Sequence, residues 1–298
     1  MTAASTRPGD RAAWLRRDAE KISGSLPPLL VEAEQLARSL MPGVHGRRRP
    51  GPGESFWQYR PAHPGDTLAQ IDWRRSGRSD RLFIREMEWE AAETVMIWAD
   101  RSAAMDFGSD AAPRTKAERA GLIALALGVL LSRGDERFGL LGTEAELPAS
   151  GQTQLLRMGA LLTSELGNRP DHGPVPQIHL PRISRAVYLS DFLGPEETIF
   201  PALSAAAGRG IGGVIVQILD PAEETFPFSG RTRFESMTRA VQYDAEQATS
   251  LRDAYRSRLA ERRDRLSRAG RGWQFITHRT DESPRRALLA LYRALGGA

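Results

Sequence analysis

TVMIWAD, residues 94–100, decides the fold. Its first six residues are β-branched, apolar or aromatic, too short a run for a helix, and a charge closes it. It therefore reads as a strand buried on both faces that ends on Asp100. The same form recurs at AVYLSD (Ala186–Asp191) and GVIVQILD (Gly213–Asp220), with shorter relatives at RFGLLG (137–142) and WQFIT (273–277). Between them lie helical patterns over Lys116–Arg133, Thr153–Leu166, Glu196–Ala207, Tyr243–Ala269 and Pro284–Leu295. Near-continuous apolar strands alternating with helices predict a doubly wound α/β domain over 91–298, a mostly parallel sheet with helices on both faces. The stretch Glu223–Met237 breaks the rhythm and reads as a hairpin or an edge excursion.

Upstream the character changes. Residues 1–25 are polar and mixed in charge, and are expected to be a flexible N-terminus. A module over 26–90 follows. It opens with an amphipathic helix carrying Leu29, Leu30, Ala33, Leu36, Ala37 and Leu40. In GRRRPGPGESF, Arg47, Arg48 and Arg49 precede alternating Pro and Gly, so a basic exposed loop is expected. From Phe56 to Glu90 aromatics, arginines and carboxylates are interleaved. Phe56, Trp57, Tyr59 and Trp73 are expected to bury against the sheet edge. Charges among such aromatics need partners, so at least one bidentate Arg–Asp pair is expected among Arg60, Asp66, Asp72, Arg74 and Arg85.

Composition narrows the function. The 298 residues carry 41 Lys plus Arg against 37 Asp plus Glu, a net charge of +4. Only Lys21 and Lys116 are lysines, so nearly all the basic charge is arginine and reads as a compositional bias. Nucleic-acid binding is not expected, since the charge is not clustered with aromatics. Without cysteine there is no disulfide framework and no thiolate chemistry, consistent with a reducing compartment. The longest apolar run, Leu122–Leu131, is half the length that spans a bilayer, and no secretory h-region opens the chain. A cytoplasmic protein with no membrane insertion is expected.

In open α/β sheets ligands sit beyond the carboxyl ends of the strands, which directs attention to Asp100 and Asp191. With Ser102 and Thr153 they make an all-oxygen set suited to Mg²⁺ or Mn²⁺. Aspartates after strands also serve as caps and loop residues, and spacing leaves both readings open. No phosphate-binding GxxxxGK[ST], no HExxH and no GxSxG is present. Gly208, Gly210 and Gly213 match GxGxxG by letters but precede a strand, which argues against a dinucleotide site. A metal-assisted hydrolase using Asp100 and Asp191 is the alternative function, and it lacks an evident general base.

The stretch YRPAHPGDTLAQIDWRRSGRSDRLFIREMEWE (59–90), followed by a strand and DRSAAM (100–105), resembles the signature of the bacterial family called domain of unknown function 58. Tyr59, Arg60, Gly65, Asp66, Asp72, Trp73, Arg74 and Arg85 carry the likeness. Members of that family are similar to a von Willebrand factor A domain preceded by an arginine- and aromatic-rich segment. The resemblance implies a metal-ion-dependent adhesion site of the pattern Asp-x-Ser-x-Ser, then Thr, then Asp. Asp100, Ser102, Thr153 and Asp191 would occupy it. Ala104 stands where the second serine belongs, and a methyl cannot coordinate, so the implied Mg²⁺ or Mn²⁺ site is weak or vestigial. It also implies a non-enzymatic adaptor working with a MoxR-type AAA+ ATPase in the assembly or maturation of client proteins. Contact with partners would then fall to Asp106 and its loop and to Arg47, Arg48 and Arg49.

Overall fold

A computed structural model describes residues 28–40, 56–63, 66–67, 71–79, 81–87, 94–143, 145–164, 166–176, 184–269 and 272–296. The elements run α1 (Pro28–Arg38), β1 (Phe56–Pro61), α2 (Trp73–Ser76), β2 (Phe83–Met87), β3 (Thr94–Ala99), α3 (Lys116–Arg133), β4 (Arg137–Leu140), α4 (Gln152–Thr163) and β5 (Ser184–Ser190). They continue through α5 (Glu196–Gly208), β6 (Gly212–Leu219), α6 (Pro221–Thr225), β7 (Thr232–Glu235), β8 (Gln242–Ala245), α7 (Arg252–Arg268), β9 (Trp273–Arg279) and α8 (Pro284–Gly296). The chain divides into two compact units, Gly43–Glu93 and the remainder.

The larger unit is built on a five-stranded sheet of order β4-β3-β5-β6-β9 in which every neighbouring pair is parallel. Side chains alternate across a strand, so β3 feeds two cores. Val95, Ile97 and Ala99 join Phe138, Val187, Val216 and the helices α1, α3 and α8 on one face. Met96 and Trp98 join Tyr188, Ile215, Trp273 and residues of α5 and α7 on the other. This is the mixed α/β architecture expected from the strand pattern, with helices over both faces of a parallel sheet.

Burial of α3 is nearly complete, from Ala120 through Leu131 without a break. A helix apolar all round must be covered all round. The sheet covers one side, and α1 lays Leu30, Ala33 and Ala37 into the same core. The helix Pro28–Arg38 therefore belongs to the sheet unit, not to the N-terminal module expected over 26–90, and the boundary falls after Pro42.

A second departure concerns the expected helix over Tyr243–Ala269. Tyr243 lies in β8, which pairs antiparallel with β7, and the helix begins at Arg252. The register puts Arg233 opposite Asp244, and the pair bonds through two nitrogens at 2.7 and 3.1 Å. Ala245 and Ala248 bury with Phe226 in a small cluster packed by Phe228, Phe234 and Tyr255, and this apolar anchor holds the chain as a hairpin. Glu223–Met237 thus contains the end of α6 and the first hairpin strand.

In the smaller unit β1 and β2 pair antiparallel, with Tyr59 opposite Arg85. Arg60 and Asp66 form the bidentate pair, both contacts at 2.8 Å, that charges among aromatics require. Asp72 caps α2 by accepting from the Arg75 N–H at 2.9 Å, and it also accepts the Tyr59 hydroxyl at 3.2 Å. Two of the aromatics expected to bury are exposed instead, Tyr59 by 38% and Trp73 by 61%. Trp73 opens a single helical turn whose buried residue is Ser76, so the inward position is already taken. Arg74 is exposed on that turn. Gly65, Arg47, Arg48, Arg49 and the side chains of Phe56, Trp57 and Arg85 lie outside the described residues.

Candidate functional site

From β3 the chain crosses to β4 on one side and then to β5 on the other, so the strand order reverses between β3 and β5. Loops leaving the carboxyl ends of these two strands part there and open a crevice. Asp100 follows β3 and Asp191 follows β5, and both are buried.

Asp100 is held by its own chain. One carboxylate oxygen accepts the Ser102 N–H at 2.9 Å and the other the Ser190 hydroxyl at 2.7 Å. Burial pushes the Asp100 carboxyl above its ordinary pKa, while the Ser190 and Ser102 bonds pull the other way. The Ser102 hydroxyl is buried and finds no partner among the described residues.

Asp191 has a different partner. Its Oδ1 accepts the Leu193 N–H at 2.9 Å, and its Oδ2 faces the Lys116 ammonium at 2.6 Å. The same Nζ lies 2.5 Å from Glu223 Oε1, and the lysine side chain is 1% exposed. Lys116 opens α3, where Thr115 and Glu118 form a capping box. A cation in the first helical turn is opposed by the helix dipole, and one so deeply buried loses its hydration. Burial would lower the Lys116 pKa, but Asp191 and Glu223 outweigh it and hold the amine above its ordinary value. Glu223 is brought by the turn after β6, where Asp220 and Glu223 form a second capping box on α6. Burial raises the Glu223 carboxyl, against the pull of Lys116.

Above this triad is a pocket of about 260 Å³. Phe226, Phe228, Phe234, Met237 and Tyr255 give it apolar walls, and Lys116, Asp191 and Glu223 form part of its polar lining. Ala104 lines the pocket too, so its methyl meets the crevice where a hydroxyl was sought.

The residues do not fit a Mg²⁺ or Mn²⁺ site of the kind read from sequence. Thr153 is exposed on the first turn of α4. The loop after β4 doubles back, bridging Ala149 to Phe138, and carries the start of α4 to the opposite end of the sheet. Gln154 there donates to the carbonyls of Phe138, Ala145 and Leu147. It is the far end of α4 that meets the Asp100 loop, where Arg101 donates to the Ser164 carbonyl. An ammonium already occupies the Asp191 carboxylate, and among the described residues no group of three or more His, Asp or Glu is gathered for a metal. Asp106, expected to face a partner, is engaged by Arg169.

The structure places Asp100, Ser102 and Asp191 at neighbouring strand ends, and adds Lys116 and Glu223, which sequence reasoning missed. A signal was present for the first. In a chain with 41 basic residues and only two lysines, a lysine opening the helix with the longest apolar run departs from the chain's own habit. Arginine there would bring a wide planar fork, whereas an ammonium is compact enough to sit between two carboxylates.

The family model described as "Protein of unknown function DUF58" matches residues 58–265. Uncharacterized proteins of Mycobacterium bovis and Mycobacterium tuberculosis are each 27% identical over 278 residues, covering 89% of this chain and 86% of the relative. Among solved structures, the conserved hypothetical protein BatB from Bacteroides thetaiotaomicron is 14% identical with a TM-score of 0.39, covering 68% of this chain and 97% of its own. An aerotolerance-related membrane protein from Bacteroides fragilis is 16% identical with a TM-score of 0.41, covering 69% and 99%. Among the described residues of this chain no helix is long and apolar enough to cross a membrane.

Proposed function

The chain belongs to the DUF58 family, and from that premise we propose that it is a non-enzymatic interaction protein that docks partners at the carboxyl end of its parallel sheet. One observation carries the reading: Asp191, one of the two aspartates that would otherwise bind a metal or perform chemistry, is committed together with Glu223 to an internal lysine, under an open apolar pocket. A buried ion pair rigidifies a site without making it reactive. The sheet with its crevice between β3 and β5 is read here as a von Willebrand A-like domain in which Lys116 supplies the positive charge a divalent cation would bring. A carboxylate already paired with a buried ammonium needs no metal to balance it.

The resemblance of the 59–90 stretch supports the rest of the proposal: a cytoplasmic adaptor working with a MoxR-type AAA+ ATPase in the assembly or maturation of client proteins. No phosphate-binding loop is present in the sequence, so energy for any remodelling would come from that second chain. Arg47, Arg48 and Arg49 are proposed as the steering contact, which predicts association that weakens with salt. Affinity capture from the native cell with and without ATP tests this. Recovery of an AAA+ ATPase, lost on joint substitution of Arg47–Arg49 or on Phe234→Ala, is the expected result. Recovery of no ATPase under either condition overturns the partner assignment.

A further inference from the structure

The pocket holds an imbalance of charge. On its floor two carboxylates share one ammonium, which leaves one net negative charge in a buried setting. Its rim adds Asp171 and Glu235, so four carboxylates line it against a single lysine. Asp171 accepts from the Thr238 N–H and hydroxyl, and Glu235 is exposed on β7. The walls between floor and rim are aromatic, and the negative faces of such rings attract cations. Tyr255 reports the same field: burial first, then Glu223 and Asp191, push its phenol upward.

We propose that this pocket receives a basic side chain of a partner protein, an arginine or lysine whose alkyl stem lies against Phe226, Phe228 and Phe234 and whose charge faces the carboxylates. This rests on the docking function proposed above and deepens it by naming the chemistry docked. A carboxylate, the ligand a metal-bearing crevice would attract, meets uncompensated negative charge here and is repelled. A neutral apolar group would fill the walls and leave the floor charge buried without compensation. A basic side chain answers both, because its stem is apolar and its head is a cation. Size agrees: about 260 Å³ lies below the roughly 300–1,000 Å³ typical of pockets for whole small-molecule ligands, and suits one long side chain.

The full-length chain labelled with ¹³C at the methionine methyls supplies the assay. Met237 lines the pocket, and Met158, buried in the core on α4, is the internal control. Three probes with short unbranched alkyl stems are titrated: n-butylguanidinium, butyrate and n-butanol. We expect a saturable shift of Met237 with butylguanidinium, a still Met158, and an affinity at least about tenfold above that of butyrate. Glu235→Gln, on an exposed strand position, should lower the guanidinium affinity several-fold and leave butanol unchanged. Butyrate binding as tightly as butylguanidinium, or no saturable shift with the guanidinium, overturns the proposal. Failure of the probes is separable from failure of the docking function, because Phe234→Ala is scored independently in the affinity capture.

Discussion

Replacing Lys116 by methionine keeps the length of the stem and deletes the charge. The side chains of Lys116, Asp191 and Glu223 are 1%, 2% and 16% exposed, so both carboxylates would lose their counter-ion in a place water reaches poorly. Removing one partner of a buried pair costs about 3–5 kcal/mol, because the charge left behind is uncompensated. At about 2–3 °C per kcal/mol for a chain this size, the melting temperature at pH 7.5 should fall by about 6–15 °C. The sign of the pH dependence follows from Glu223, whose carboxyl is raised by burial in the folded protein. A raised carboxyl penalises the fold only once ionised: the penalty is absent below the unfolded value near 4.5 and complete above the folded value. Without Lys116 the penalty grows, so the deficit of Lys116→Met should be largest at pH 7.5 and shrink toward pH 5. Adding Glu223→Gln should recover at least about 1 kcal/mol, since residues of one network do not add independently. Differential scanning calorimetry of the two variants and the parent at both pH values reads all of this. A melting temperature unchanged within about 2 °C on Lys116→Met would refute the triad as the organiser of the crevice.

Three further outcomes are expected. Ala104→Ser should not create a Mg²⁺ site by titration calorimetry, because the Asp191 carboxylate remains bound to Lys116; sub-micromolar Mg²⁺ binding would contradict this. His278 is buried and its pKa is lowered to about 4, first by burial and then by Arg119. Between pH 6.5 and 4 the unfolded chain takes up this proton and the folded one does not, so stability falls with pH by up to about 3 kcal/mol. His278→Gln should flatten that slope in denaturant titrations. Asp72→Ala removes the cap of α2 and the Tyr59 contact, and should lower stability of its unit by about 1 kcal/mol, read by urea titration of tryptophan fluorescence; a loss under about 0.3 kcal/mol would show the cap to be idle.

Much of the sheet was legible because its strands are nearly continuous apolar runs, each closed by a polar residue. TVMIWAD and AVYLSD could be little else, and they put Asp100 and Asp191 at one end of the sheet. Thr153 was misplaced because a loop's length says nothing of its direction: the bridge Phe138↔Ala149 that returns the chain along β4 is a backbone pairing invisible in composition. The hairpin was only half read, since Tyr243 and Ala245 fit a helical pattern as well as a strand until Phe226 and Phe234 are there to pack on. Trp73 misled for a related reason. Aromatic content suggests burial, but a one-turn helix has a single inward position, and Ser76 holds it.

The pocket's floor and wall are secured by different means. Lys116 stands at the head of a helix inside the main core, while the β7–β8 wall rests on a small cluster of Phe226, Ala245 and Ala248 and on the Thr238 bonds to Asp171. A cluster that small sets a low free energy for local opening, far beneath that of the sheet. The wall can thus detach and close again in sub-global excursions during which every parallel strand stays hydrogen-bonded. In amide exchange the floor would be among the slowest parts of the molecule and the wall among the fastest, and occupancy of the pocket would be written in the protection of the hairpin alone.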